Sequence, residues 1–239
     1  MQKIMFNDRF SLTDLVLSGQ KTQTRRIEKS LLSLQTKEIK GQCYKFYDNK
    51  FREVTDDLRY LDTAAPDRYA VIVRTTDGQL LEFKPQYRMG EVVAVAQSYQ
   101  KAGIVFAPIR ENALINKRGE KWGNARKSAG WENKIFVKPD LMPHAIKITN
   151  IRVERLQDIS DEDCLAEGVK EVEVSNNWGN FATHTEYSIT YYNKKSLSKQ
   201  LVSRECPQEA FAALIDKING YGTWASNPYV FVYDFELVK

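Results

Sequence analysis

The chain has 239 residues, of which 42% are hydrophobic and 11% aromatic, so it can form a sizeable core, and its formal net charge of +4 permits a polyanionic partner without requiring one. The scattered Cys43, Cys164 and Cys206 and the small number of histidines argue against a disulfide framework and a metal site, and we expect no cofactor. Neither a membrane span nor a signal peptide is recognisable, so we expect a cytoplasmic protein with no membrane partner, whose oligomeric state the sequence does not indicate.

The first predicted element is a short helix over residues 10–19. Ser11 and Asp14 have the spacing of a capping box, and Gly19 is placed to end the helix in a left-handed conformation. A strand is predicted over residues 22–27. The stretch "GQKTQTRR" (19–26) therefore joins a helix to a strand.

Short strand patterns continue along the chain, and three polar segments interrupt them. The segments at about 28–66, 100–132 and 170–206 are polar or poorly patterned, and we expect them to be irregular insertions, within the first of which "YKFYDNKF" could form a small hairpin around Asp48-Asn49. The remaining predicted elements are a hairpin over 69–84 that turns at Asp77-Gly78, strands over 91–99, 134–138, 144–156 and 227–238, a short helix over 159–168 with Ser160 and Asp163 as a capping box and Gly168 at its end, and an amphipathic helix over 207–220.

This pattern indicates a mainly β or α+β fold. Strands do not alternate with long helices, so a doubly wound parallel sheet is not expected. Strand patterns on both sides of each insertion are needed to complete one sheet. We therefore predict a single domain over residues 1–239.

A family resemblance is carried by "FNDRFSLTDLVLSGQKTQTRR" (6–26), which resembles the signature of ASCH domains. These are PUA-like barrels whose first helix ends in a G-x-K-x-x-T-x-R pattern, read here as Gly19, Lys21, Thr24 and Arg26. The segments "YRMGEVVAVAQSY", "ITNIRVERLQDISDEDCLAEGV" and "NPYVFVYDFELV" follow in the ASCH order. The stretches "KTQTRR" and "VERLQDISDED" are most similar to ASCH proteins of phages and other mobile elements. The resemblance implies a small PUA-like β-barrel with flanking short helices, and with the three insertions outside it.

One bacterial branch of this superfamily consists of N4-acetylcytidine amidohydrolases. The resemblance implies a catalytic Lys and Thr from the motif and a Glu from the short helix, which fall on Lys21, Thr24 and Glu167. Amide hydrolysis needs a nucleophile, a base and an acid. A desolvated Lys21 would activate Thr24, and Glu167 near the end of its helix would protonate the leaving nitrogen.

The remaining motif residues are predicted to bind the ligand. Gly19 would turn the chain sharply and bring Lys21 beside Thr24, although an ideal strand places positions 21 and 24 on opposite faces. Arg25 and Arg26 alternate faces, so one of them would hold a phosphate or carboxylate while the other pairs with surface acids. Arg26 would hold an anionic group of the ligand or orient Glu167. We expect the Lys21→Ala and Thr24→Ala variants to keep the wild-type melting temperature within a few degrees, since neither residue is predicted in the core.

Each assignment has a simpler alternative. Lys21 and Thr24 would also fit a solvated turn, and Glu167 would fit the exposed face of a helix. Three functions remain open: a nucleobase- or RNA-binding module, an amidohydrolase of an acylated cytidine or related nucleoside, and a DNA-associated accessory protein of a phage or conjugative element. The expected partner is therefore RNA or a modified nucleoside.

A basic segment supplies candidate nucleic-acid contacts. From Arg110 to Lys138 the chain has eight Lys or Arg residues and three Asp or Glu residues, with tryptophans between them. Tryptophan rings could stack on bases, or they could anchor a solubilising loop to the core. The predicted nucleic-acid-binding residues are Arg110, Lys117, Arg118, Lys121, Trp122, Arg126 and Lys127.

The basic segment leads to a first prediction about salt. If several of its charges contact phosphates, binding to single-stranded RNA releases counterions, and the affinity falls steeply as salt increases. Fluorescence anisotropy over a salt series measures this slope. A flat salt dependence, or no binding at low salt, would support the solubilising loop.

Overall fold

A computed structural model describes residues 1–47, 53–54, 68–109, 114–115, 119, 121–175, 183–193 and 196–238. The strands are β1 (Lys3–Ile4), β2 (Gln23–Arg26), β3 (Ile39–Tyr47), β4 (Glu53–Val54), β5 (Arg68–Thr75), β6 (Leu80–Phe83), β7 (Val92–Val95), β8 (Phe106–Pro108), β9 (Leu114–Ile115), β10 (Lys121–Asn124), β11 (Ala145–Arg155), β12 (Lys170–Ser175), β13 (Thr183–Asn193), β14 (Ser198–Arg204) and β15 (Tyr229–Leu237). The α-helices are α1 (Leu12–Leu17), α2 (Asp161–Ala166), α3 (Pro207–Asn219) and α4 (Thr223–Ser226). Short 3-10 helices cover Asp8–Phe10, Lys29–Leu34, Ala125–Lys127, Lys134–Phe136, Pro139–Leu141 and Leu156–Asp158.

The chain divides into two compact units. Unit 1 consists of Met1–Gln20, Val92–Lys147 and Glu236–Lys239, and unit 2 consists of Lys21–Glu91 and Ile148–Phe235. The single domain over residues 1–239 stays a prediction.

Unit 1 is built on short strands around a small core. In this unit β1 runs parallel to β7, and β7 pairs antiparallel with the first residues of β11. A second sheet has the order β8-β10-β9. The residues buried between these elements are Ala94, Ala96, Tyr99, Ala107, Ala125, Val137 and Met142.

Helix α1 of unit 1 ends as the sequence predicts. Gly19 has a φ of 73°, and the N–H groups of Gly19 and Gln20 donate to the carbonyls of Val16 and Leu15. These two bonds form the Schellman motif that a left-handed glycine permits. The predicted capping box at the other end is wrong, because Ser11 itself has a φ of 55° and its side chain makes no capping hydrogen bond.

Unit 2 contains the longer strands. Within it β2 pairs antiparallel with β15, which lies next to β11. The remaining strands form a sheet of order β4-β3-β5-β6 and a meander of order β12-β13-β14. The predicted hairpin at Asp77-Gly78 is confirmed, with Gly78 at a φ of 83° between β5 and β6. Helix α3 packs against α2, β13 and β14.

The three segments expected to be irregular contain regular strands. β3 lies in the first segment and pairs with β5, and β8, β9 and β10 lie in the second. The third forms the whole β12-β13-β14 meander. The residues of β12 are almost all exposed, so this strand lacks the alternation of apolar and polar residues on which a sequence-based prediction depends.

The strand predicted at 134–138 is also wrong. Lys134–Phe136 is a 3-10 helix, because the Asn133 side chain accepts a hydrogen bond from the Ile135 N–H and starts a turn. Both apolar residues of this turn, Ile135 and Phe136, are exposed to solvent.

The prediction of a mixed α+β fold with mostly strands and few helices is confirmed. In the part of the chain that the structure describes, no sheet closes on itself into a barrel. The PUA-like barrel therefore stays a prediction.

A tight contact in unit 1 gives a prediction about stability. A Cβ added to Gly130 would lie 2.5 Å from Cε2 of Tyr99, whose ring belongs to the buried core. We expect the Gly130→Ala variant to be destabilised by about 1–3 kcal/mol, because the core has to shift. Urea unfolding measures this change.

Gly41→Ala is the control, since an added Cβ there would meet no atom within 4 Å. It reports what a glycine-to-alanine change contributes through the unfolded chain alone. Equal stability of the two variants would contradict the overpacking argument.

Candidate functional site

Helix α2 carries Glu167 at its end, and both ends of this helix follow the sequence prediction. Ser160 is its N-cap, and the Ser160 side chain accepts a hydrogen bond of 3.1 Å from the Asp163 N–H. Gly168 has a φ of 105° at the other end. The Gly168 and Val169 N–H groups donate to the carbonyls of Leu165 and Cys164, which completes a second Schellman motif.

The two remaining carbonyls at the end of α2 are taken by the residues just before β2. The Thr22 N–H donates to the Ala166 carbonyl at 3.0 Å. The Lys21 ammonium donates to the Glu167 carbonyl at 2.7 Å. Helix ends leave such carbonyls without intrahelical partners, and a cation is favoured there by the helix dipole. Lys21 and Thr22 therefore cap α2 from another part of the chain.

Lys21 also forms a buried ion pair with the Glu167 carboxylate. Its Nζ lies 2.5 Å from Oε2 of Glu167 and 2.6 Å from the Gln23 carbonyl, in addition to the Glu167 carbonyl. An ammonium has three N–H donors, so all of them are engaged. Lys21 is 1% exposed and Glu167 is 5% exposed. Burial lowers the pKa of Lys21, although the Glu167 carboxylate opposes this effect.

Arg25 lies beside the same pair, inside a group of carboxylates. Its guanidinium lies 2.5 Å from Glu154, 2.7 Å from Asp163 and 3.4 Å from Glu167. Burial works against its charge, but the neighbouring carboxylates of Glu167 and Glu154 raise the pKa of Arg25. The guanidinium next to Glu167 is therefore that of Arg25, whereas the sequence analysis gave the orienting role to Arg26.

A second arginine contacts this network on its more exposed side. Arg152 contacts Glu154 at 3.0 Å and both Asp163 and Asp234 at 2.7 Å. The Gln23 amide donates to Asp163 at 3.0 Å and to Asp234 at 2.7 Å. The sequence analysis did not assign these residues to the site. Only Asp163 was singled out, and as a helix cap.

The formal charges of the network nearly cancel. It contains three cations (Lys21, Arg25 and Arg152) and four carboxylates (Glu154, Asp163, Glu167 and Asp234), which gives a net formal charge of −1. It therefore has no surplus positive charge to hold an anion. The predicted role of Arg25 in binding an anionic ligand would require one of its carboxylate partners to be displaced.

Thr24 and Arg26 belong to the other face of β2. Successive residues of a strand alternate between faces, so Thr24 and Arg26 point away from the side shared by Gln23 and Arg25. Their backbone partners in β15 are Tyr233 and Phe231. Thr24 is 7% exposed, and among the described residues its hydroxyl forms no hydrogen bond. The structure thus brings Lys21 and Glu167 together, and it does not bring Thr24 into hydrogen-bonding contact with either.

Aromatic and acidic groups accompany Arg26 on its side of the strand. The Arg26 guanidinium lies 5.9 Å from the centre of the Tyr87 ring. The Tyr233 hydroxyl donates to the Glu28 carboxylate at 2.9 Å and accepts from the Gln86 N–H at 3.0 Å. Burial raises the pKa of Glu28 and of Tyr233. Glu28 was not assigned to the site by the sequence analysis.

The predicted nucleic-acid contacts fall in unit 1 and are only partly described. Lys121, Arg126 and Lys127 are exposed, and Trp122 in β10 is half-buried. Arg110, Lys117 and Arg118 lie outside the described residues. Gly19, predicted to bind ligand, ends α1 in unit 1, as described above.

The described residues include both potential metal ligands and free thiols. They contain no group of three or more His, Cys, Asp or Glu side chains arranged to hold a metal ion. Cys164 in α2 is buried, and burial raises the pKa of its thiol to about 12, so the thiol stays protonated. No helix in the described part of the chain has the length and apolar character needed to cross a membrane.

Comparison with known proteins adds no relative. Neither the protein-family models, nor the curated proteins, nor the solved structures include a match to this chain. The resemblance to ASCH domains therefore depends on the sequence motif.

The buried pair gives a prediction that corrects the one made from sequence. Because Lys21 is 1% exposed and caps α2, removing its charge affects the core. Breaking a buried pair from one side typically costs about 3–5 kcal/mol, since the partner stays buried and unpaired. We expect Lys21→Met to lower the free energy of unfolding by about this amount, measured in urea.

A second substitution separates the ion pair from the general effect of losing a lysine. In Lys21→Met/Glu167→Gln the orphaned carboxylate is gone, so part of the stability should return. Lys29→Met, at an exposed position, should change stability by less than about 0.5 kcal/mol. A double variant no more stable than Lys21→Met would contradict the coupling.

Proposed function

We propose that this chain binds a nucleobase, in a free modified nucleoside or an unpaired base of RNA, at a site on the Thr24 and Arg26 face of β2, which the buried Lys21–Glu167 pair supports from behind. The observation that carries this proposal is the Lys21–Glu167 pair, whose members are 146 positions apart in the sequence and 2.5 Å apart in space. The ASCH resemblance names these two residues as members of one site. Their contact supports the proposal.

Stability alone is a weak reason to bury such a pair. Apolar residues in place of a buried ion pair often stabilise a protein as well or better, because the charges lose their hydration. Ionisable groups with shifted pKa values cluster at functional sites, and burial lowers the pKa of Lys21. These two arguments support a functional reading of the pair.

Thr24 supplies the group most suited to contact a base. A hydroxyl acts as donor and as acceptor, and the edge of a nucleobase presents both kinds of partner. The Thr24 hydroxyl makes no hydrogen bond among the described residues, so it does not have to give up a protein partner to bind a ligand. The network around Arg25 holds β2 in place behind it, which favours a preorganised site.

Binding is favoured over catalysis by the way in which Lys21 is engaged. All three of its N–H groups already have acceptors, and none of these is Thr24. A base that activates Thr24 needs a lone pair directed at its hydroxyl. In the geometry described, the ammonium acts as a fixed charge and a helix cap.

Hydrolysis of an acylated cytidine is the second candidate, and the short Lys21–Glu167 contact favours it. Transfer of a proton from the Lys21 ammonium to the Glu167 carboxylate, which lies 2.5 Å away, would provide both a base and an acid. Thr24 Oγ would attack the amide carbonyl and pass its proton to Lys21. Glu167 would protonate the departing N4 nitrogen as the C–N bond breaks, and water would then hydrolyse the threonyl ester. This route requires Thr24 and Lys21 to come within hydrogen-bonding distance when substrate binds.

The test is calorimetric titration with cytidine and N4-acetylcytidine. We expect the wild type to bind at least one of them, and Thr24→Val to weaken that binding by about 2- to 12-fold through loss of one hydrogen bond. Thr22→Val is the matched control, because the Thr22 side chain is exposed and its capping N–H is retained. Equal affinity of the wild type and Thr24→Val, or no binding by the wild type, would contradict the proposal.

Acetate release from N4-acetylcytidine distinguishes the two candidates. Release by the wild type that both Thr24→Val and Glu167→Gln abolish would establish hydrolysis. Binding without release would leave the binding module as the function.

A further inference from the structure

Unit 1 contains a pocket of about 580 Å³, within the roughly 300–1,000 Å³ usual for small-molecule sites. None of its described lining residues belongs to the site proposed above. Its described lining consists of Tyr99, Pro108, Ile109, Lys127, Ser128, Ala129, Gly130 and Phe136.

Two 3-10 turns supply the residues that give this pocket its chemistry. The Asn124 side chain accepts from the Arg126 N–H and starts the turn that carries Lys127. The Asn133 side chain accepts from the Ile135 N–H and starts the turn that carries Phe136. Each turn is therefore fixed by its own asparagine cap.

Further hydrogen bonds hold Tyr99, Gly130 and the turn that carries Phe136 in place. The Tyr99 N–H donates to the Gly130 carbonyl at 2.9 Å, and the Tyr99 hydroxyl accepts from the Lys138 N–H at 3.0 Å. The Lys3 ammonium donates to the carbonyls of Ile135 and Val137 at 2.6 and 2.7 Å. These bonds connect the pocket to the core, so it is formed before any ligand arrives.

The lining combines an exposed aromatic ring with a positive charge. Phe136 lines the pocket and is 59% exposed, so its ring is accessible to a ligand. Lys127 is exposed as well, and none of the described lining residues is acidic. Lys121 and Arg126 lie nearby in sequence and are also exposed, and so extend the positive charge. A planar apolar group next to a negative charge would complement this combination.

We infer that the pocket takes an unpaired base of single-stranded nucleic acid, with Phe136 stacking on the base and Lys127 contacting an adjoining phosphate. Bases of any sequence stack on aromatic side chains, and basic residues follow the backbone alongside. The pocket thereby gives the basic segment a means of distinguishing single strands from other polyanions.

The experiment compares an oligouridine of about 12 nucleotides with an abasic oligomer of the same length and charge. Both bind to Lys and Arg residues, but only the oligouridine has bases to stack. We expect the wild type to bind the oligouridine more tightly, and Phe136→Ala to weaken this binding by about fivefold or more while leaving the abasic oligomer unaffected.

Ile135→Ala is the matched control, because Ile135 is exposed in the same turn and does not line the pocket. It should retain the preference for oligouridine. Lys127→Gln should reduce the slope of log affinity against log salt by about 0.7 for both oligomers, which is the value for one phosphate contact on a single strand.

The outcomes separate this inference from the proposed function. Loss of the oligouridine preference in Phe136→Ala supports the pocket whether or not the chain binds free nucleosides. An unchanged preference in Phe136→Ala, equal binding of both oligomers by the wild type, or no binding of either, would overturn it. A Phe136→Ala variant that alters the sedimentation of the chain but not its oligouridine affinity would also overturn it, in favour of self-association.

Discussion

The buried ammonium of Lys21 is the constraint on which the organisation of unit 2 around the motif depends. It satisfies the last carbonyl of α2, the Gln23 carbonyl and the Glu167 carboxylate at once. One charge thereby fixes the start of β2 against the end of α2. Because each unsatisfied buried polar group costs stability, the loss of Lys21 would expose three separate defects.

The same constraint limits what the motif can do chemically. A lysine that caps a helix is held in its charged form by its acceptors, whereas a catalytic base has to be neutral for part of the cycle. Burial moves its pKa in the direction that catalysis needs, and the contacts with Glu167 act against that shift. The structural role and a catalytic role therefore require different protonation states of the same Lys21 nitrogen. Thr24 lies on the other face of the strand, so its hydroxyl takes no part in the Lys21–Glu167 contacts.

Local signals in the sequence were sufficient at several turns and helix ends, although they failed at Ser11 and at the turn capped by Asn133. Gly19, Gly78 and Gly168 each take the left-handed conformation that the sequence analysis assigned to a helix end or a turn. Ser160 likewise caps α2 as its spacing predicts. Such positions are decided within four or five residues, so the sequence contains the whole interaction.

Long-range contacts could not be predicted in the same way. A lysine followed by threonine is typical of a solvated turn, and no local pattern shows that Lys21 is buried by residues far away in the sequence. The network of Arg25 with Glu154 and Asp163 is hidden for the same reason. The resemblance to a known motif was the only sequence signal that placed Lys21 next to Glu167. In β12 the limit is different, because a strand with little burial has no periodicity to detect.

The protonated thiol of Cys164 provides a direct view of this contact. It is buried in α2, the helix whose end Lys21 caps, whereas Cys43 is exposed. A thiol-alkylating reagent should therefore label Cys43 at once, and it should reach Cys164 only when the helix separates from its neighbours. The slowest phase of alkylation, separated from that of the half-buried Cys206, then reports how often α2 opens from its neighbours.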